Sequence, residues 1–125
     1  MNTRAAAHSG ITAELLLEVF DLPLSFHRCL VPITGGVTAA LMLSQAIWTT
    51  QTIDPAANGW FSRSQDQWSD ETGLSRWEQE TARRALRSAG FVEERRVGMP
   101  AKLWFRVRPE AVWHALKTHT AADRR

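Results

Sequence analysis

One cysteine, Cys29, stands in 125 residues, so no intramolecular disulfide forms and the fold must rest on its own core. Long apolar runs are missing too. The most apolar stretch, Val37 to Trp48, is interrupted by Thr38, Ser44 and Gln45 and falls short of the ~20 residues needed to cross a bilayer. The opening Met1-Asn2-Thr3-Arg4-Ala5-Ala6-Ala7-His8 lacks the apolar stretch of a secretion signal. These absences point to a cytoplasmic chain with no membrane contact. Internal repeats and low-complexity tracts are absent as well.

Catalytic signatures are equally scarce. No carboxylate pair, nucleophile motif or nucleotide loop stands out, so neither an enzyme nor a cofactor is expected. His27-x-Cys29 offers too few ligands for structural zinc, and His114 with His119 lacks the i,i+4 spacing of a helical metal pair, so no metal is expected. An enzyme built on His27, Cys29 or His114 is the weakest of the open alternatives.

What is present is core material: 44% hydrophobic residues, including six tryptophans. A chain of this length makes one domain and buries roughly two-thirds of its unfolded surface. The expected organisation is a flexible 1–10, a single domain over 11–118, and a flexible 119–125. The net charge of +2 conceals an uneven distribution. Residues 1–62 hold two Arg and four acids, whereas 63–125 hold thirteen basic residues and nine acids. Ser75 to Arg108 alone carries nine Arg/Lys against four Glu, a surplus of five that suits a polyanionic partner or a solvated face.

Ile11 to Phe20 places Leu15, Leu16, Val19 and Phe20 at helical spacing. Leu24 to Ile33, with Pro32, reads as irregular or a short helical turn. Thr34-Gly35-Gly36 opens a helix to about Gln51; the glycines make a turn with Thr34 as cap, since no Gly-Lys-Ser/Thr follows to hold a phosphate. Asp54 to Gly59 is a loop, and Trp60-Phe61-Ser62 is at most a very short strand.

Two capping boxes come next. Ser64-Gln65-Asp66-Gln67 starts a helix to Glu71 that Gly73 ends, and Ser75-Arg76-Trp77-Glu78 starts a second to Ala89 that stops at Gly90. Two helices joined by a tight Gly-containing turn, 64–89, form a helix-turn-helix signature. Phe91–Val97 and Lys102–Arg108 read as a hairpin around Gly98-Met99-Pro100-Ala101, a wing over 91–108. Pro109 begins a last helix, with Val112, Trp113 and Leu116 in a stripe, to about Lys117.

The order helix, short strand, helix, helix, hairpin is that of a winged helix. The expected class is mainly α with a small β-hairpin wing, plus extra N- and C-terminal helices. Thr72-Gly73-Leu74-Ser75, Glu78-Gln79-Glu80-Thr81-Ala82-Arg83, Leu86, Gly90-Phe91-Val92 and Gly98-Met99-Pro100-Ala101 resemble winged-helix proteins of phages, plasmids and integrated elements. Upstream, Thr34-Gly35, Ala39-Ala40-Leu41, Leu43-Ser44-Gln45 and Gly59-Trp60-Phe61 extend the resemblance over roughly 26–108. It implies a DNA-binding fold used in replication initiation, replisome organisation or small regulators.

On a helical wheel centred on Ala82, Glu78, Gln79, Ala85, Leu86 and Ala89 fall within about 60°. Arg76, Trp77, Glu80, Arg83, Arg84 and Arg87 lie about 100° or more away, on a face suited to the major groove of double-stranded DNA. The bland alternative is a pair of solvated contacts, Arg76–Glu80 and Glu80–Arg84. Trp77 either stacks on DNA or packs beside Trp68 as an edge of the core, and Glu80 either reads a cytosine or tempers the positive field. In the wing, Arg95, Arg96 and Lys102 reach phosphate or a minor groove, or stay in solvent. The rival function is an interaction module that recruits replication or transcription proteins. Leu15, Leu16, Val19 and Phe20 with Val112, Trp113 and Leu116 either close the core or form a homodimer seam.

Overall fold

The computed structural model describes residues 10–123, and it is mainly helical with a small three-stranded antiparallel sheet. Helix α1 spans Ala13–Val19, capped by Thr12, whose hydroxyl accepts from the Leu15 amide at 3.1 Å. A 3-10 turn, Arg28–Leu30, leads into the one-turn helix α2, Val31–Thr34, with Pro32 in its first turn, where a missing N–H costs nothing. The long helix α3, Val37–Thr52, follows.

Thr34 does not cap α3, as the sequence pattern had suggested. It ends α2: its hydroxyl donates to the Leu30 carbonyl at 2.8 Å, and Gly35 at φ 89° turns the chain in the left-handed region. The physical reason is that Pro32 starts a separate turn upstream, so the threonine serves orphan carbonyls instead of orphan amides.

Helix α3 is the centre of the core. Ala39, Ala40, Met42, Leu43 and Ala46 are buried, as are the polar Ser44, Gln45 and Thr49. Each polar group is satisfied: the Ser44 hydroxyl donates to the Ala40 carbonyl, the Thr49 hydroxyl to the Gln45 carbonyl, and Gln45 Nε2 to Glu71 at 2.7 Å. Ser44 also accepts from the His27 amide, tying the irregular segment to the core.

Strand β1, Trp60–Ser62, enters at one edge of the sheet, followed by α4, Gln65–Thr72, and α5, Arg76–Ser88. Strands β2, Val92–Val97, and β3, Lys102–Val107, form the hairpin, and the spatial order is β1-β3-β2. Phe61 pairs with Phe105, and Phe105 with Glu94, so these three side chains share the inner face of the sheet. Phe61 stacks on Phe105 at 5.8 Å between ring centroids, and Trp68 meets Phe105 edge-on at 5.4 Å. Such contacts add roughly 0.5–1.5 kcal/mol each beyond simple burial.

Helix α6 runs from Pro109 to Asp123, beyond the expected end near Lys117, so residues 119–123 are helical and not a flexible tail. Alanines at 115, 121 and 122 favour its continuation. The expected flexible residues 1–9 and 124–125 lie outside the described residues. Among the described residues no single helix is long and apolar enough to cross a membrane.

Candidate nucleic-acid interface

The two capping boxes are closed in full. Ser64 Oγ accepts from the Gln67 amide at 3.1 Å while the Ser64 amide donates to Gln67 Oε1 at 2.9 Å; Ser75 and Glu78 repeat the exchange at 3.2 and 2.9 Å. Gly73, at φ 74°, ends α4 in the left-handed conformation that side chains disfavour, and buried Leu74 pins the turn between α4 and α5. These local devices set the start of α5 and therefore which residues it presents.

Helix α5 buries Gln79, Ala82 and Leu86, leaving Arg76, Trp77, Glu80 and Arg84 exposed, as the wheel indicated. Arg83 departs from it. Its guanidinium folds onto the sheet, with Nη2 2.7 Å and Nε 3.0 Å from the two oxygens of Glu94, and it lies 5.8 Å over the Phe105 ring. Arg87 Nη1 reaches the same carboxylate at 2.8 Å. Burial works to raise the Glu94 pKa, but hydrogen bonds and charge from Arg83, then Arg87, outweigh it and hold the carboxyl below its usual range. Arg83 is a structural cation bridging α5 to β2, and Arg87 is half committed to that bridge.

Trp77 is 72% exposed and does not pack beside Trp68, which is 2% exposed in the core. The two are nine residues apart on different helices, and Trp77 points out on the side opposite Gln79. Glu80 sits 3.6 Å from Arg76 in an exposed i,i+4 pair, worth at most a few tenths of a kcal/mol. No Glu80–Arg84 pair forms among the described residues.

The pleat separates the two hairpin arginines. Arg96 pairs with Leu103 on the inner face, whereas Arg95 pairs with Trp104 on the outer face. Arg95 lies 4.6 Å over the Trp60 ring, with Arg106 at 4.8 Å from the same ring. Trp60 approaches Arg106 because Gly59, at φ 85°, leaves room: a Cβ there would sit 3.2 Å from Arg106 Cγ. Glu93 holds both Arg106, at 3.0 Å, and Arg108, at 3.2 Å.

All four glutamates of Ser75–Arg108 are thus occupied: Glu78 in its cap, Glu80 with Arg76, Glu93 with two arginines and Glu94 with two more. Arg84, Arg96 and Lys102 have no carboxylate partner among the described residues. Arg96 and Lys102 line a groove of about 430 Å³ across from Arg63 and Gln79.

Arg63 and Gln79 are groove residues that the sequence reading passed over. Arg63, just after β1, is held by Glu71 at 2.7 Å. Gln79 falls on the buried face of the wheel, and a glutamine there is itself a signal, because a buried amide needs partners. Its Nε2 donates to the Gln65 and Leu74 carbonyls, both at 3.1 Å, locking α5 to α4.

The expected dimer stripe splits. Val112 is buried and Leu116 half-buried in the core, whereas Leu15, Leu16, Val19, Phe20 and Trp113 are exposed. Among the described residues no group of three or more His, Cys, Asp and Glu could hold a metal ion. Compared with known proteins, the chain matches no protein-family profile, no curated protein and no solved structure.

Proposed function

We propose that the chain is a winged-helix protein that binds double-stranded DNA, with α5 in the major groove and the β2–β3 hairpin against the backbone. The element order α3, β1, α4, α5, β2, β3 and the strand order β1-β3-β2 support the fold reading. One observation carries the function: around the capped α4–α5 pair every glutamate is consumed internally, while Arg84, Arg96 and Lys102 have no carboxylate partner among the described residues and Arg76 is only loosely held. A cation without a partner is free to replace a counterion on phosphate, or, in the groove, to fork onto guanine O6 and N7. The setting we infer is gene control or replication of a mobile element.

The test is a salt-titrated binding measurement on random duplex and single-stranded DNA. Duplex affinity should fall by ~0.9 log unit per log unit of salt for each phosphate neutralised, so three or four cations give a slope near −3. No duplex binding at low salt would favour the rival reading, a module that docks replication or transcription proteins. Exposed Trp77 is the feature that favours that rival, because tryptophan is a frequent anchor of protein interfaces.

We further propose that α1 pairs with a second copy of the chain. From Ile11 to Phe26 eight large apolar side chains are each at least two-fifths exposed, on the order of 800 Å² in all, about what one partner buries in an ordinary interface. Glu14, Glu18 and Asp21 rim this segment, which disfavours an anionic lipid surface as the occupant. A two-fold pair would offer two recognition helices to half-sites about one DNA turn apart.

A further inference from the structure

The outer face of the sheet carries aromatic surface that duplex binding does not call for. Helices α3 and α5 pack on the side of Phe61, Phe105 and Glu94. By the pleat, the opposite side carries Trp60 and Trp104, with Arg95, Arg106 and Lys102 as its basic residues and Glu93 as its one acid. None of these six is fully buried: the two tryptophans, Glu93 and Arg106 are half-buried, and Arg95 and Lys102 are exposed. Glu93 is taken up by Arg106 at 3.0 Å and Arg108 at 3.2 Å. Arg95 and Lys102 have no carboxylate partner among the described residues, so this face holds two uncompensated cations.

The two tryptophans are held differently. Trp60 is engaged by the guanidinium groups of Arg95 and Arg106, at 4.6 and 4.8 Å from its ring centroid. The Trp104 ring has no aromatic or cation contact among the described residues. The two unpaired cations flank it: Arg95 is its direct partner across the strand pair, and Lys102 stands two residues before it on β3, about 7 Å along the strand. An indole without a ring partner, between cations without counter-charges, supplies a flat surface for a base and positive charge for the phosphates on either side. Bases inside a duplex lie against one another, so only an unpaired base offers its flat face to such a ring. A second copy of this chain would set like charges against Arg95 and Lys102, and an apolar peptide would leave them unpaired.

We propose that the outer face of the sheet binds single-stranded DNA, with a base stacked on Trp104 and the flanking phosphates on Arg95 and Lys102. The choice of DNA rests on the duplex reading, which sets the same hairpin against a DNA backbone, where an unpaired strand lies alongside whenever the duplex opens. The two readings share Lys102. Trp104 and Arg95 belong to this face alone, and Arg84 and Arg96 to duplex binding, so the two fail separately.

The experiment is a titration of the full-length ¹⁵N-labelled protein with a short oligo-dT, followed by NMR at the Trp104 indole N–H, which Trp104→Phe assigns. Oligo-rU of equal length, polyglutamate and a random duplex are the comparison probes. The expected result is saturable movement of the Trp104 signal with oligo-dT. Binding should weaken about tenfold in Trp104→Ala and stay within about threefold of the parent chain in Trp104→Phe, which keeps a flat ring. Arg95→Ala, at an exposed position, should lower the salt slope of oligo-dT binding by ~0.7 log unit per log unit of salt. Should Trp104→Ala fail to fold, the indole signal of the parent chain and the Arg95→Ala slope still decide. No oligo-dT binding at low salt, or binding that leaves the Trp104 signal unmoved, overturns the proposal, and retained duplex binding in that case leaves the function above intact. Polyglutamate binding as tightly as oligo-dT overturns the stacked base, and oligo-rU binding equally or more tightly overturns DNA as the occupant. Preference for oligo-dT with no duplex binding at all upholds this face and overturns the duplex reading.

Discussion

Helix α1 is built of Ala, Glu, Leu and Val and buries none of its residues, whereas strand β2, Val-Glu-Glu-Arg-Arg-Val, holds Glu94 with only 10% of its side chain exposed. The apolar helix is out, and one carboxylate of the charged strand is in. The difference lies in what each has opposite it. Glu94 faces Phe105 on one side and two arginines of α5 on the other, so its desolvation is offset by three short contacts. Leu17 and Leu22, at 70% and 94% exposed, face no comparable surface among the described residues. Burial follows the complementarity of the opposite wall, and side-chain type only sets what that wall must offer.

The sharpest way to break this contrast is Arg83→Ala. It leaves Glu94 buried with Arg87 alone and should cost about 2–3 kcal/mol by urea unfolding, less than a fully buried pair because Arg87 remains. The double change Arg83→Met/Glu94→Leu should recover most of that loss, since packed apolar groups substitute well for a buried pair. An unaltered midpoint in Arg83→Ala would mean that the bridge contributes nothing.

On the outer side of the same helix the effect moves from stability to binding. Arg84→Ala should leave the unfolding midpoint unchanged and weaken the preferred duplex by ~1–3 kcal/mol if it reads a base. Arg96→Ala should instead weaken all sequences alike and flatten the salt slope. The opposite assignment of effects would exchange the roles of helix and hairpin.

Acid sharpens the contrast further. Because the folded pKa of Glu94 is depressed, its stabilisation is present above the ordinary carboxylate pKa and is lost as pH falls through the depressed folded value. Urea midpoints measured from pH 7 down to pH 3 should therefore fall at the acid end, and Glu94→Gln should remove that part of the fall.

The smallest effect on the folded core is expected at α1. Leu16→Ala or Leu17→Ala should change the stability of the isolated chain by no more than about 0.5 kcal/mol. Light scattering over a concentration series should show twice the 14.1 kDa chain mass, returning to the monomer in Leu16→Glu/Leu17→Glu. A monomer at every concentration would remove the second copy as the cover for α1.

Much of the architecture was legible in the chain. Both capping boxes, the Gly73 turn, the short strand at Trp60, the hairpin and the helix beginning at Pro109 stand where the residue pattern put them, within a residue or two. The site was legible only in part. Arg76, Trp77 and Arg84 reached the exposed face from periodicity alone, but the wheel could not distinguish Arg83, which sits only about 20° from Arg76 around the helix and ends in a bridge. Nor did a run of two arginines in a strand reveal that one stacks on Trp60 while the other faces the groove.

What the sequence determined by itself is the set of features whose partners lie within four residues. Ser75 and Glu78 satisfy each other's backbone amides, and Gly73 adopts its positive φ, without reference to any distant part of the chain. The tertiary structure decided everything that depends on a wall supplied from elsewhere: Arg83 against Glu94 eleven residues on, Gln79 against Gln65 fourteen residues back, Arg95 against Trp60, and the exposure of α1. The physical reason is range. A cap closes over a single turn of helix, whereas the fate of a charge or an orphaned amide is set by what the sheet and its neighbouring helices place within about 3 Å of it.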